Sequence, residues 1–530
     1  MLDEFMLKRK CNVSNTFIFE TCDPKRVNQF IKFVSEAFKS HRILIYDLQS
    51  QNVTDTTGAP LSLSGGVFGF GVQQLLDLLK SKPTILIIRY VYDRSHADAI
   101  GDLLVAASHD DVVYRHQSTI AVFAVDSGLF PFGLLRFVYT IRVIPSTPEE
   151  RRAVLESVAH KIKAGLAEKF GIDVDLAVTD DIIQASSGLT LDETESAALE
   201  SFYKERKFSV PVFTEYKIKV LSEMGLQYIK PSRGFESVGG YDYLKDYVKK
   251  RIIKPLRNPE IAQKYGLGIP KGILLYGLHG CGKTWFAKTL AAEVGLPMIA
   301  LNPSDFLRGI VGETESRVRQ ITRLMESLAP VILFIDEFDQ LTLSREATSI
   351  TDSGVTRRMT NMLLEWLGSE DRRTFVIGAT NFVEHIDPAF LRPGRLDEVI
   401  PVLPPDMKAR MEILKVHTSV IRKVPLERSD ILAEIAEKTY MFTGADLERS
   451  VIEASYLAME EGTPFVTKAH FNEAINTIEV NVEERLSMVK NVINNMLKLE
   501  NVNRRFLKEA LKSLSENESD TRISSLITSL

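Results

Sequence analysis

The sequence predicts an α/β protein made of two successive modules, each a parallel sheet layered with helices. Three observations carry this. The chain has 530 residues, too many for one ordinary domain, and 45% of them are hydrophobic, enough for sizeable cores. Apolar strand-like runs alternate with helical runs from Thr16 onward, the mark of parallel-sheet architecture. The alternation lapses near Ser209 and restarts at Phe235.

In the first half, Thr16 to Glu20 and Arg42 to Leu48 read as strands, with helical spacing from Pro24 to Lys39 between them. A Gly/Ser-containing loop around Leu61 to Gly71 leads to a helix through Leu75 to Leu79. Thr84 to Tyr92 is a very apolar strand, Thr119 to Val125 another, and Glu149 to Lys207 is rich in helix. Residues 119–144 are apolar enough to invite comparison with a membrane span. Asp126, Pro131, Arg136 and Arg142 interrupt them, whereas a spanning helix needs about 20 apolar residues in a row. Two buried strands joined by a loop are expected instead, and no membrane span. The expected division is an N-terminal α/β domain over 1–207, a linker over 208–234, a second module from 235 to about 480 and a helical tail over 481–530. In the tail, Val489, Val492, Ile493, Met496 and Leu497 have helical spacing, so packing is its expected role.

Composition narrows the function classes. A net charge of -5, from 65 basic and 70 acidic residues, gives no global attraction for nucleic acid. No run interleaves Lys or Arg with aromatic residues, so nucleic acid is not an expected partner. Cys11, Cys22 and Cys281 offer neither a disulfide framework nor a zinc site, which fits a reducing cytosol and a cytoplasmic protein. The first ten residues carry charges where a secretion signal needs an apolar core.

The chemistry concentrates after Gly272. The apolar strand Gly272-Ile-Leu-Leu-Tyr276 runs into Gly277-Leu-His-Gly-Cys-Gly-Lys-Thr284, followed by a helical segment from Trp285 to Val294. This is the G-x-x-x-x-G-K-[ST] phosphate loop in its required setting of strand, loop and helix. Gly277, Leu278, His279, Gly280, Cys281 and Gly282 turn backbone N–H groups toward phosphates, and the helix N-terminus adds positive potential. Lys283 is expected on the β and γ phosphates of ATP, and Thr284 on Mg²⁺. Cys281 reads as a small residue in a tight loop rather than as a reactive thiol. Downstream, Pro330-Val-Ile-Leu-Phe-Ile-Asp-Glu-Phe-Asp339 is a buried strand ending in adjacent acids. Asp336 suits Mg²⁺ binding and Glu337 suits polarisation of the attacking water.

Together these motifs resemble the classical AAA family of ATPases, over about Phe235 to Ile478. The resemblance implies a P-loop NTPase sheet in a large α/β subdomain over 235–402 and a helical lid over 403–480, ATP and Mg²⁺ as cofactors, and a ring, expected as a homo-hexamer, that remodels protein substrates. Ser237-Val-Gly-Gly240 is similar to the family's opening motif, which places Val238 and Gly239 beside the adenine and Trp285 among the nucleotide contacts. Gly378-Ala-Thr-Asn381 resembles the sensor strand, implying that Asn381 positions the water. Leu391-Arg-Pro-Gly-Arg-Leu-Asp397 resembles the arginine-finger segment, implying that Arg392 and Arg395 reach the γ-phosphate of a neighbouring subunit. His417 falls at the family's histidine near the nucleoside, and Thr443-Gly-Ala-Asp446 resembles the start of the lid, with Gly444 and Ala445 near the nucleotide. Departures from the pattern are Leu278-His279 for the usual Pro-Pro and Cys281 for Thr. At the pore-loop position, Ile310 and Val311 stand where many unfoldases have an aromatic residue, and Glu365-Trp-Leu-Gly368 lacks the usual Asp-Gly.

The first half carries an echo of the second. Pro145 to Leu155 resembles Pro404 to Leu414, each a Pro-rich turn opening a helix with an arginine. Ala185 to Asp192 is similar to the lid start, and Thr84 to Val91 reads like the acid-bearing strand with Arg89 and Tyr90 in place of the acids. With no phosphate loop, residues 14–205 are either a degenerate AAA-like module or an unrelated α/β domain. A degenerate N-terminal module, with the segment Ile310 to Arg317, resembles the stand-alone AAA proteins of cyanobacteria and plastids. The arginine-finger segment resembles the archaeal and eukaryotic protein-unfolding branch. Three functions are compatible with these motifs: an ATP-driven protein remodeller, a nucleic-acid motor and a nucleotide-switched scaffold. The intact set Lys283, Asp336, Glu337 and Asn381 favours the first.

Overall fold

In a computed structural model, the chain is described apart from residues 12–13, 22, 49, 51, 62–70, 144–145, 171–175, 231, 304–312, 342–352, 500–501 and 517–530. It divides into two compact units, Met1–Val220 with Gly309–Ser327, and Leu221–Arg308 with Leu328–Leu530.

The first unit contains strands β1 (Thr16–Glu20), β2 (Arg42–Asp47), β3 (Asn52–Thr54), β4 (Thr84–Val91), β5 (Thr119–Ala124) and β6 (Tyr139–Arg142). They form one sheet in the order β3-β2-β4-β5-β1-β6, parallel except for the β2–β3 edge pair. β1 and β5 are buried on both faces, as expected of central strands covered by helices. On one face Phe5, Phe17, Phe19, Phe30 and Phe123 interlock, Phe19 and Phe123 stacking with centroids 4.8 Å apart. Leu75, Leu79, Ile100, Leu103 and Leu104, from helices Val72–Ser81 and Arg94–Ser108, cover the other. The stretch between β5 and β6 is loop and short helix, so the two-strand reading of residues 119–144 holds. Among the described residues no helix is long and apolar enough to cross a membrane.

A helical subdomain follows, formed by Pro148–Phe170, Asp180–Ala185 and Leu191–Glu205. Residues 208–234, expected as a linker, are not an open connection. Val210–Glu223 is a helix whose Phe213 is fully buried against Leu155, Ile183 and Ala197. Pro211 lies in its first turn, where a missing N–H costs nothing, so it does not break the helix. Gln227–Ile229 is a strand, β7.

The second unit comprises β7, β8 (Gly272–Gly277), β9 (Met298–Leu301), β10 (Ile332–Ile335), β11 (Phe375–Thr380) and β12 (Glu398–Val402). Their order is β12-β8-β11-β10-β9-β7, parallel except at the β7–β9 edge. Read from the other edge, the first sheet runs β6-β1-β5-β4-β2-β3, the same order with the same antiparallel edge. Two local features repeat with it. Tyr90 and Glu337, each two residues past the Ile-X-X-Ile run of β4 or β10, are both left-handed, with φ +68° and +47°. Arg151 donates to the carbonyls of Ser146 and Ile183, as Arg410 does to those of Pro405 and Ala436. The first sheet thus carries the topology of the second, as the echo between the two halves implied.

Helices Met407–Lys415, Ile431–Lys438, Gly444–Glu460 and Lys468–Thr477 form the lid. The tail helices Val482–Leu497 and Arg504–Glu516 bury Leu486, Val489, Val492, Ile493 and Met496, and Phe506, Leu507 and Leu511, so the tail packs as expected through Glu516.

Candidate active site

The strand order decides which residues meet. β11 lies between β8 and β10, so the loop after β8, the residue after β11 and the acids after β10 open onto one end of the sheet. There a cavity of about 900 Å³ opens, of a size that holds a nucleotide-sized ligand.

The loop is shaped by its glycines. Gly280 and Gly282 hold φ of +77° and +84°, conformations that a side chain would strain. The helix Lys283–Val294 starts at Gly282 with no side chain capping it, so its first N–H groups are left for a ligand. Lys283 is 7% exposed, and its ammonium donates to the carbonyls of Gly277 (2.9 Å) and Leu278 (2.8 Å) and to Asn381 Oδ1 (2.6 Å). Burial lowers its pKa, while Asp336 and Asp339 act in the opposite direction. Thr284 Oγ1 donates to Asp336 Oδ2 at 2.8 Å. A hydroxyl and a carboxylate side by side are hard oxygen donors of the kind magnesium takes, which usually completes its shell with water and phosphate oxygens. The donor set therefore fits the expected ion. Cys281 is buried, which pushes its thiol up to about 12, so the small-residue reading describes it.

Glu337 is exposed at the cavity, its backbone N–H donating to Asp336 Oδ1 (3.0 Å) and its carboxylate accepting from the Gln340 amide. A left-handed non-glycine residue costs roughly 1 kcal/mol, and such strain clusters at functional positions.

The remaining nucleotide positions also border the cavity. Val238 and Gly239 line it, and a β-carbon on Gly239 would run into the backbone of Glu412 and Ile413. The Trp285 indole donates to the Ser237 carbonyl at 3.0 Å, fixing that segment against the helix that begins at Lys283. His417 lines the cavity with its Nδ1 2.9 Å from Arg422, and burial lowers its pKa, which favours the neutral ring. Gly444 and Ala445 begin the lid helix, whose Ala445 N–H donates to the Gly280 carbonyl (3.1 Å). His279 is exposed at the rim, its ring 6.2 Å from that of Phe382.

Arg392 and Arg395 stand apart from the cavity of their own chain. Arg392 is exposed, and Arg395 is half-buried with its guanidinium on the Ala389 carbonyl (2.6 Å). Ile310 and Val311 lie outside the described residues. The sequence reading passed over Gln340 and Arg422, whose partners, Glu337 and His417, lie only three and five residues away. Polar residues at such spacing carry no signal of their own.

A parallel sheet, a glycine loop running into a helix with a buried lysine, and a Thr–Asp pair beside it define a P-loop nucleoside triphosphatase. The family model for the ATPase family associated with various cellular activities (AAA) matches residues 273–403. Protein SAV of Sulfolobus acidocaldarius is 33% identical over 430 residues, 74% of this chain and 54% of that protein. The uncharacterized AAA domain-containing protein ycf46 of Guillardia theta is 30% identical over 364 residues, 68% of this chain and 69% of its own length. A proteasome-activating nucleotidase of Methanocaldococcus jannaschii is 39% identical over 251 residues, 47% of this chain and 58% of that one. The chain thus spans about half the length of the Sulfolobus relative. It belongs to the AAA family of ATPases, and the residues matched by the family model include the phosphate loop and the acids Asp336 and Glu337.

Proposed function

We propose that the chain hydrolyses ATP as a cytoplasmic AAA ring, a homo-hexamer, and uses the cycle to remodel or disassemble protein complexes. The observation that carries the proposal is the convergence of Lys283, Asn381 and the Thr284–Asp336 pair at one end of the β8–β11–β10 strands. In this reading Lys283 and the loop N–H groups hold the β and γ phosphates, and Asn381 and Glu337 orient and polarise the attacking water. Magnesium, when bound with the nucleotide, would neutralise phosphate charge, and Thr284 and Asp336 would hold it. Val238, Gly239, Trp285 and His417 border the nucleoside, and the lid start at Gly444 and Ala445 closes over the loop.

Arg392 and Arg395 are assigned to the γ-phosphate of a neighbouring copy, which their position away from their own cavity supports. The domain limits follow the same reading: ATPase subdomain 235–402, lid 403–480, tail 481–530. Remodelling of proteins rests on relatives such as the proteasome-activating nucleotidase, and Ile310 and Val311 are assigned to a pore loop.

Glu337→Gln is expected to retain ATP and lose turnover by about 10²–10⁴-fold, read by calorimetry and phosphate release. Wild-type protein turning over no faster than this variant would replace hydrolysis with a nucleotide switch. Arg395→Ala is expected to bind ATP normally while losing turnover about a hundredfold or more, with wild-type specific activity rising with protein concentration. Normal turnover in that variant removes the trans role.

A further inference from the structure

The end of the first sheet that corresponds to the phosphate-loop end of the second bears acids instead of a lysine. Glu20 is the last residue of β1, and Asp126 follows β5 by two residues. Their side chains are 2% and 0% exposed. Buried carboxylates are costly unless paired with cations and hydrogen-bonded. One oxygen of each is engaged within the module. Glu20 Oε1 accepts from the Ser127 hydroxyl (2.6 Å), and Asp126 Oδ1 accepts from the Gly128 N–H (3.0 Å).

The other oxygens receive guanidinium groups. Arg319 Nε donates to Asp126 Oδ2 at 2.5 Å, and Arg323 Nη2 donates to Glu20 Oε2 at 2.7 Å, with Asp126 Oδ1 4.0 Å away. Both arginines belong to the helix Glu313–Leu328 and are four residues apart, so they leave the same face one turn apart. Residues Gly309–Ser327 fall within the first compact unit, although they lie more than eighty residues beyond Val220 in the sequence. The module's own Arg142 reaches Glu20 only at 3.8 Å and stays 87% exposed. Gly128 completes the fit, since a β-carbon there would overlap the Arg319 guanidinium.

We propose that this end of the first sheet is a receptor for two guanidinium groups presented one helical turn apart, and that its ligand is the chain's own helix Glu313–Leu328. The forked, permanently charged guanidinium suits a buried carboxylate better than the point charge of lysine. The site has exchanged the chemistry of a phosphate cradle for its inverse: fixed anions that hold two guanidinium groups.

Amide hydrogen exchange on the full chain tests this without reading nucleotide turnover, so it stands apart from the ATPase proposal. In Arg319→Met with Arg323→Met, the amides of residues 318–328 are expected to exchange about tenfold faster or more, while β1, β5 and β8 keep their protection. Methionine has nearly the helix propensity of arginine, so intrinsic helicity is held constant. Gly128→Ala, which displaces the Arg319 guanidinium without removing charge, is expected to give a smaller acceleration in the same segment. Glu20→Gln with Asp126→Asn is expected to match the arginine pair. Should these neutralised cores fail to fold, the arginine variant decides alone, because its side chains are already 30–35% exposed. Wild-type exchange over residues 318–328 in the arginine variant, with the strands still protected, overturns the proposal.

Discussion

Two sheets of one topology end in opposite chemistry. In the second unit the central strands lead to a buried cation, Lys283, and a row of helix-start N–H groups, an arrangement that attracts an anion. In the first unit they lead to two buried anions, Glu20 and Asp126, that hold cations. Asp336–Glu337 follow β10, whereas Arg89–Tyr90 stand near the end of the matching strand β4, where Tyr90 retains the left-handed backbone of Glu337 without its carboxylate. A layered α/β fold thus fixes where a site sits, at the carboxyl ends of its strands, while a handful of side chains decides what it binds.

The largest expected effect that would break this comparison comes from Lys283→Ala. Loss of the charge and its hydrogen bonds should weaken ATP binding about a hundredfold or more by calorimetry. Residual uptake at wild-type affinity would mean that the first sheet also holds phosphate, contrary to its acids. Next come the two buried arginines with matched partners. Arg410→Met and Arg151→Met each leave carbonyls without a donor, so each should cost about 1–3 kcal/mol per carbonyl left unpaired. The losses should fall separately, in the lid and in the helical subdomain of the first unit, as seen by local hydrogen exchange. A neutral Arg151→Met would show that the echo there is one of shape and not of energetics. The smallest effect concerns Cys281. With its thiol pushed up to about 12, the thiolate fraction at pH 8 is roughly one in ten thousand. Maleimide at that pH should therefore label the exposed Cys11 and spare Cys281 until the unit unfolds, as read by peptide mass mapping. Fast labelling of Cys281 would contradict its burial.

Much of the second unit was legible because its signals are local. A glycine loop between an apolar strand and a helix, and two acids after a run of Ile and Leu, each lie within about ten residues of chain. The echo between Pro145–Leu155 and Pro404–Leu414 was legible for the same reason. Its cause, an arginine bonded to a carbonyl five residues back, is encoded in a short span. Residues 208–234 read as a linker in the sequence because Phe208, Phe213 and Val220 gain their meaning only from a core supplied by Leu155, Ile183 and Ala197. A three-residue strand such as β7 is too short for any periodicity to reveal.

By itself the sequence determined that a phosphate loop and its partner acids exist, since both are backbone and charge patterns written contiguously. Tertiary structure alone decided the fate of Glu20 and Asp126. In the sequence one is the end of a strand and the other a charge that interrupts an apolar stretch, and Arg319 lies 193 residues from its partner. Burial is what turns those acids into a site, because a carboxylate withdrawn from water must find its cation, and only the folded chain brings that cation within reach.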